Sequence, residues 1–299
     1  MKKAAFFLVD VFSDKPLAGN PLAVVPDADL IDEATMRRIA REFNQAETTF
    51  LLSPTQVGAD CLLRSFTPTG QEVFGAGHNA LGAWWWLAAS GRLPHTDDKM
   101  QFHQQIGDQV LPIDVAWKDG QVVFIEMKQE APVFGRIVSD PAVLADALGL
   151  VELEDIATSK FEAQVVSTGA AHLLIPVRDR SAVGRARPDT GKLLSVLRAA
   201  EGEGCYLFSL DVVHAGSAAH TRFFNPTVGI AEDAATGTAA GPLAALLVVK
   251  QIAADGSTVA IEQGHAMDRP SLIRVRVSGK DVRISGRGFV TAEGFLRLS

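Results

Sequence analysis

Short apolar runs rich in β-branched and aromatic residues recur along the chain, each bounded by polar, glycine or proline positions. They include AAFFLVDVF, PLAVVP, ETTFLL, CLLRSF, VLPIDVAW, QVVFIEM, AHLLIPV, CYLFSL, TVAIEQG and SLIRVRVSG. Runs of this length and makeup predict strands. Helical spacing is rarer, and predicts helices over 31–43, 79–89, 141–148, 192–200 and 239–253. Many strands and few helices, without regular alternation, predict an α+β fold with a mostly antiparallel sheet.

The same order of features occurs twice. In the first half GNPLAVVP, from Gly19, precedes FTPTGQEVFGAGHNALGAWW, from Phe66; in the second half GAAHLLIPV, from Gly169, precedes FFNPTVGIAEDAATGTAAGPLAALL, from Phe223. Each copy has a glycine turn into an apolar strand, then F-x-P-T, a small-residue corner and an apolar helix. This predicts a duplicated architecture. EAPVF places a proline after a strand near residue 131, so the expected domains are 1–130 and 131–299, with room for the last strand to return to the first.

The corners are where chemistry is expected. A helix start carries unpaired N–H groups and the positive end of the peptide dipoles, and small residues let a carboxylate or phosphate approach them. One corner is Gly75-Ala76-Gly77-His78-Asn79, the other Ala235-Thr236-Gly237-Thr238-Ala239. Close packing of a helix on a sheet would also select small residues, but packing has no need of His78 in one corner or of Glu232, Asp233 and Thr238 in the other. Gly75-x-Gly77-x-x-Ala80 is also a fragment of the dinucleotide fingerprint. That motif needs a strand directly before its first glycine, and TPTGQEVF intervenes.

Composition narrows the partner. With a formal charge of −7 over 299 residues and no basic stripe, neither a nucleic acid nor an anionic membrane surface is expected. No apolar run reaches the roughly 18 residues of a membrane span, and the lysines at the start lead to no cleavage site, so a cytoplasmic address is the default. A small molecule is the expected partner. Cys61 and Cys205 lie far apart in strand-like runs and read as buried thiols, not as a disulfide.

Three titratable residues stand out. Glu47, in NQAETTFLL, has few charged neighbours; it is either a solvated strand-edge acid or, if it faces a cleft, a proton-transfer group of raised pKa. His78 can bond a substrate or cap its helix, and Asp233 can cap the following helix or orient a proton-transfer group. No ligand spacing links the histidines, so no metal is expected; His172 reads as a satisfied strand histidine, and His265, beside Gly264, as able to line a site.

Taken together these residues resemble the PhzF family of phenazine-biosynthesis isomerase-like proteins, a branch of the diaminopimelate epimerase fold. The likeness runs through D-x-F-x-x-x-P-x-x-G-N-P-x-A-V at 10–24, A-R-E-x-N and E-T-x-F at 40–50, and the F-T-P corner at 66–78. It continues through V-x-T-G-x-x-H-L at 166–173, E-D-x-A-T-G-x-A-A-G-P-L at 232–243 and Q-G-x-x-M-x-R-P-S at 263–271. The resemblance implies two similar domains, each a curled, mostly antiparallel sheet around a central helix, with the active site in the cleft between them. It further implies a cofactor-independent isomerase in which Glu47 moves a proton on a small carboxylate-bearing substrate, assisted by His78 and Asp233. Gly77, Asn79, Gly237, Thr238 and Ala239 would hold that substrate, and the protein would be a homodimer. Asn79, Ala234, Thr238 and Asp268 depart from the family pattern, so the resemblance carries the catalytic trio and not the identity of the substrate. The related two-thiol epimerases need a cysteine at each corner, and this chain has none there. A non-catalytic protein that binds a carboxylated metabolite is the alternative reading.

Overall fold

The computed structural model describes residues 2–151, 153–156 and 160–298. The chain forms two compact units, residues 1–127 with 285–299, and residues 128–284.

In the first unit Gly288–Leu298 pairs antiparallel with Lys2–Val11, which pairs antiparallel with Asn20–Val25. The next strand, Glu47–Leu52, joins parallel. Cys61–Phe66 follows antiparallel, Lys99–Ile106 parallel and Gln109–Lys118 antiparallel. The second unit repeats this order. Val133–Val138, Ala163–Ser167 and Ala171–Pro176 are antiparallel neighbours, and Gly204–Ser209 joins parallel. Ala219–Asn225 is then antiparallel, Thr258–Gln263 parallel and Ser271–Ser278 antiparallel. The repeat seen in the sequence is therefore a repeat of pairings, with two parallel joints in each mostly antiparallel sheet.

The helices are α1 (Glu33–Phe43), α2 (His78–Ala89), α3 (Pro141–Leu148), α4 (Arg180–Arg185), α5 (Thr190–Ala200) and α6 (Gly237–Val249). Local chemistry marks their ends. Asp32 caps α1 by accepting from the Thr35 N–H, and Asn44 ends it in the left-handed region; Asp140 caps α3 ahead of Pro141, and Gly149 closes it.

Two helices are central. α2 is buried from His78 to Ala88, and α6 at Gly237 and from Ala239 to Leu247. A helix apolar on every side has no solvent face and belongs inside a curled sheet. The small residues set the contact distance. A Cβ on Gly82 would lie 2.6 Å from Leu22 Cδ2 and 2.7 Å from Val11 Cγ2, and one on Gly241 would collide with the Gln129 side chain. Trp84, Trp85 and Trp86 are all buried: Trp84 Nε1 donates to Gln104 Oε1 at 3.0 Å, and Trp86 packs on Phe7 at 4.8 Å between ring centroids. In each unit a short strand, Glu72–Val73 or Ile230–Asp233, immediately precedes the central helix and its corner.

Candidate functional site

Each unit carries one corner, built from the residues that the sequence singled out. In the first, Glu47 opens its strand in parallel register with Leu22, one short turn after α1 ends at Asn44. It is half-buried, whereas Thr48, Thr49 and Phe50 beyond it are fully buried.

His78 is the first residue of α2, with Gly77 at the cap position and no side-chain cap. His78 is 9% exposed, and its Nε2 has no hydrogen-bond partner. Burial pushes its pKa down to about 4, so it is neutral at physiological pH. An orphaned buried polar atom costs about 1–3 kcal/mol in the absence of a partner. Such an atom calls for a partner, whether an ordered water, an ion or a ligand.

Asn79 braces this corner. Its Oδ1 accepts from the Gly77 N–H at 2.7 Å, and its Nδ2 donates to Ser65 Oγ at 3.1 Å and to the Gly75 carbonyl at 3.0 Å. Ser65 Oγ lies 2.9 Å from Thr49 Oγ1. A buried polar chain thus runs from the Glu47 strand, through Thr49 and Ser65, to the turn that presents His78.

In the second unit Asp233 ends its short strand, and its Oδ2 accepts from Thr236 Oγ1 at 2.6 Å. Ala239 and Ala240 N–H both donate to the Thr236 carbonyl, at 3.1 and 3.0 Å, which closes the first turn of α6 tightly. The Gly237 and Thr238 amides come before the first intrahelical donor, Ala239, and so have no acceptor within the helix. Thr238 Oγ1 lies 3.2 Å from His172 Nε2. His172, read from the sequence as a satisfied strand histidine, has a buried Nδ1 without a partner, and burial lowers its pKa to about 4.

Two braces in this corner lie outside the sequence reading. Gln263 Nε2 donates to the Asp233 carbonyl at 2.7 Å and to Thr236 Oγ1 at 3.1 Å, while its Oε1 accepts from the Thr236 N–H at 3.1 Å and from Tyr206 Oη at 2.9 Å. Gln129 Nε2 donates to the Gly237 carbonyl at 3.0 Å, and its Oε1 accepts from Thr168 Oγ1 at 2.9 Å. The only prior sign of the first was the glutamine of the Q-G-x-x-M-x-R-P-S motif. Glu232, in contrast, is tied into structure: Arg222 grips it through Nε at 2.8 Å and Nη2 at 2.7 Å.

Cys61 and Cys205 are both free thiols, pushed up to about 12 by burial, and neither lies in a corner. No thiolate is available there for a two-cysteine racemisation.

Comparison with known proteins covers nearly the whole chain. Residues 9–294 match the family described as phenazine biosynthesis-like protein. The chain is 35% identical over 298 residues to trans-2,3-dihydro-3-hydroxyanthranilate isomerase of Pseudomonas aeruginosa, covering 97% of this chain and 98% of that protein. The crystal structure of a PhzF-family phenazine biosynthesis protein from Bacillus anthracis superposes with a TM-score of 0.90 at 28% identity, over 100% of both chains. A probable proline racemase from Agrobacterium radiobacter shares the fold, with a TM-score of 0.65 at 14% identity over 99% of this chain and 93% of that one.

Proposed function

This chain belongs to the phenazine biosynthesis-like (PhzF) family, whose relatives are named isomerases, and we propose that it is an isomerase that shifts a proton along a small unsaturated carboxylate without a cofactor. The observation that carries this reading is the buried, neutral imidazole of His78, whose Nε2 lacks a partner at the start of a buried helix. A group in that state is suited to hydrogen-bond a substrate.

In this reading Glu47 removes a proton from a carbon next to the double bond. The electron pair moves into the allylic system, and the protonated Glu47 returns the proton at its far end. Atoms and charge balance with no co-reactant. His78 and Asp233 assist by holding the reacting group and its developing charge. The Gly237 and Thr238 amides receive the substrate's carboxylate, while Gly77, whose own amide is taken up by Asn79, stays with Asn79 and Ala239 in keeping the two turns in shape. The protein is proposed to work as a homodimer, which light scattering at micromolar concentration would reject by returning the mass of one chain.

The first compound to test is trans-2,3-dihydro-3-hydroxyanthranilate, the substrate in the name of the Pseudomonas relative, followed by other unsaturated carboxylates. In D₂O the product should carry solvent deuterium, because the half-buried Glu47 carboxyl, once protonated, exchanges with water before it returns a proton. Glu47→Gln should lower turnover by about 10²–10⁴-fold, the usual contribution of a positioned general base. Exchange that persists unchanged in Glu47→Gln would overturn the assignment. Tight binding without any turnover or exchange would support the alternative, a carboxylate-binding protein.

A further inference from the structure

Beyond the two corners, the second unit gathers three imidazoles around one carboxylate. Glu262, fully buried near the end of Thr258–Gln263, accepts from the Val213 N–H at 2.6 Å, the His214 N–H at 3.2 Å and His220 Nδ1 at 2.9 Å. His265 follows three residues on, in a tight turn whose flanking residues Gly264 and Asp268 both have positive φ. The ligand atoms of His214, Glu262 and His265 all lie within 4.8 Å of one another. The His265 ring centroid is 5.1 Å from that of His220 and 6.0 Å from that of His214.

Loop anchoring accounts for part of this arrangement. A carboxylate that receives two backbone amides and an imidazole fixes the 211–220 loop without any ion. The Gln263 backbone bonds the His265 ring, yet the buried His265 Nδ1 has no hydrogen-bond partner, and anchoring does not call for the His214 imidazole brought up beside it. Two imidazole nitrogens and one carboxylate oxygen on a single small volume are the donor set of a borderline divalent cation.

We propose that His214, Glu262 and His265 bind one divalent transition-metal ion of the zinc type, independently of the isomerase chemistry. Donors at about 2.0–2.2 Å from such an ion require the three side chains to close in slightly. Exposed His214, on its loop, has the freedom to do so. His220 Nδ1 donates to Glu262 and orients the carboxylate, the usual role of a partner behind a metal ligand. The exposed side of the site leaves room for water to complete the coordination.

The position gives the ion a structural consequence. Gln263, which bonds to the Asp233 carbonyl and the Thr236 amide, lies between Glu262 and the turn bearing His265. An ion drawing Glu262 and His265 together would stiffen the segment that holds the second corner.

The test uses the full chain without a histidine tag, stripped with chelator and titrated with Zn²⁺ by calorimetry and with Co²⁺ by visible absorption. One ion per chain is expected, with the visible bands of a cobalt ion bound by nitrogen and oxygen, and with a thermal midpoint that rises with metal concentration. His265→Ala and His214→Ala should each weaken binding by about 100-fold or more, and His220→Ala by about 10–100-fold. Far-ultraviolet circular dichroism of each variant separates loss of a ligand from loss of the fold. No saturable binding to the wild type, or affinity unchanged in the His214→Ala/His265→Ala double variant, would overturn the proposal.

Discussion

The two deeply buried imidazoles, His78 and His172, make a quantitative statement about acid stability. Both have pKa values pushed down to about 4 by burial, against 6.5 for an imidazole in the unfolded chain. Above pH 6.5 both states are neutral at these positions and neither residue affects the folding equilibrium. Between pH 6.5 and 4 the unfolded chain takes up protons that the folded chain refuses, so stability falls as pH falls. Below about pH 4 both states are protonated and the loss levels off. At pH 4.5 each imidazole should therefore subtract about 2.5 kcal/mol relative to pH 7, or about 5 kcal/mol for the two together. Against the 5–15 kcal/mol typical of a folded protein, that is enough to bring unfolding within reach. Urea unfolding at pH 7 and pH 4.5, for the wild type and for His78→Asn/His172→Asn, measures it. The double variant should lose about 5 kcal/mol less between the two pH values, whatever its stability at pH 7. An equal loss in both proteins would show that these imidazoles are not held neutral and would remove the argument that His78 meets its substrate uncharged.

Asn79→Ala removes the acceptor of the Gly77 amide and the donor to Ser65 and Gly75, so it should cost about 2 kcal/mol or more in urea unfolding and lower turnover through the distorted corner. Gly82→Ala places a methyl 2.6 Å from Leu22 Cδ2 and should destabilise by about 1–3 kcal/mol, with a native-like circular dichroism spectrum. Cys205, fully buried and raised to about 12, should resist a thiol-specific disulfide reagent in the native state and react at once in urea; equally rapid reaction in both would contradict its burial.

What the sequence made legible was local. α1 was visible through its period and the turn after it, and the two central helices through small-residue starts followed by solid apolar runs. The ends were less sharp. α6 stops at Val249, short of 253, because Gln251 takes a positive φ that a helix cannot continue through. α4 has only six residues, less than two turns, and such a segment shows no period to read. The parallel joints Leu22↔Glu47 and Ala219↔Ile261 are non-local pairings with no local signal. The same holds for chemistry. Glu47 as a base rested on family resemblance alone, since nothing in NQAETTFLL separates it from a strand-edge acid. His214 and Glu262 are 48 residues apart, and only the parallel joint that brings Thr258–Gln263 beside Ala219–Asn225 places them together.

The duplicated corners also show what a repeat preserves and what it releases. Both keep a short strand, a small-residue turn and the start of a buried helix, whose first amides lack intrahelical acceptors. The braces differ. The first corner is held from inside its own helix by Asn79, within two residues of the Gly77 amide it fixes. The second is held from outside by Gln263 and Gln129, which are 27 and 108 residues away from the backbone groups they bind. A corner braced locally keeps its shape whenever its helix is formed, and so suits a neutral imidazole that must stay in one place. A corner braced by distant glutamines takes its shape from neighbouring strands, so a substitution on those strands can reposition Asp233 or Thr238 without touching either. Changes in substrate preference within this architecture are therefore expected to arise around Gln129, Gln263 and the turn bearing His265 more readily than around His78.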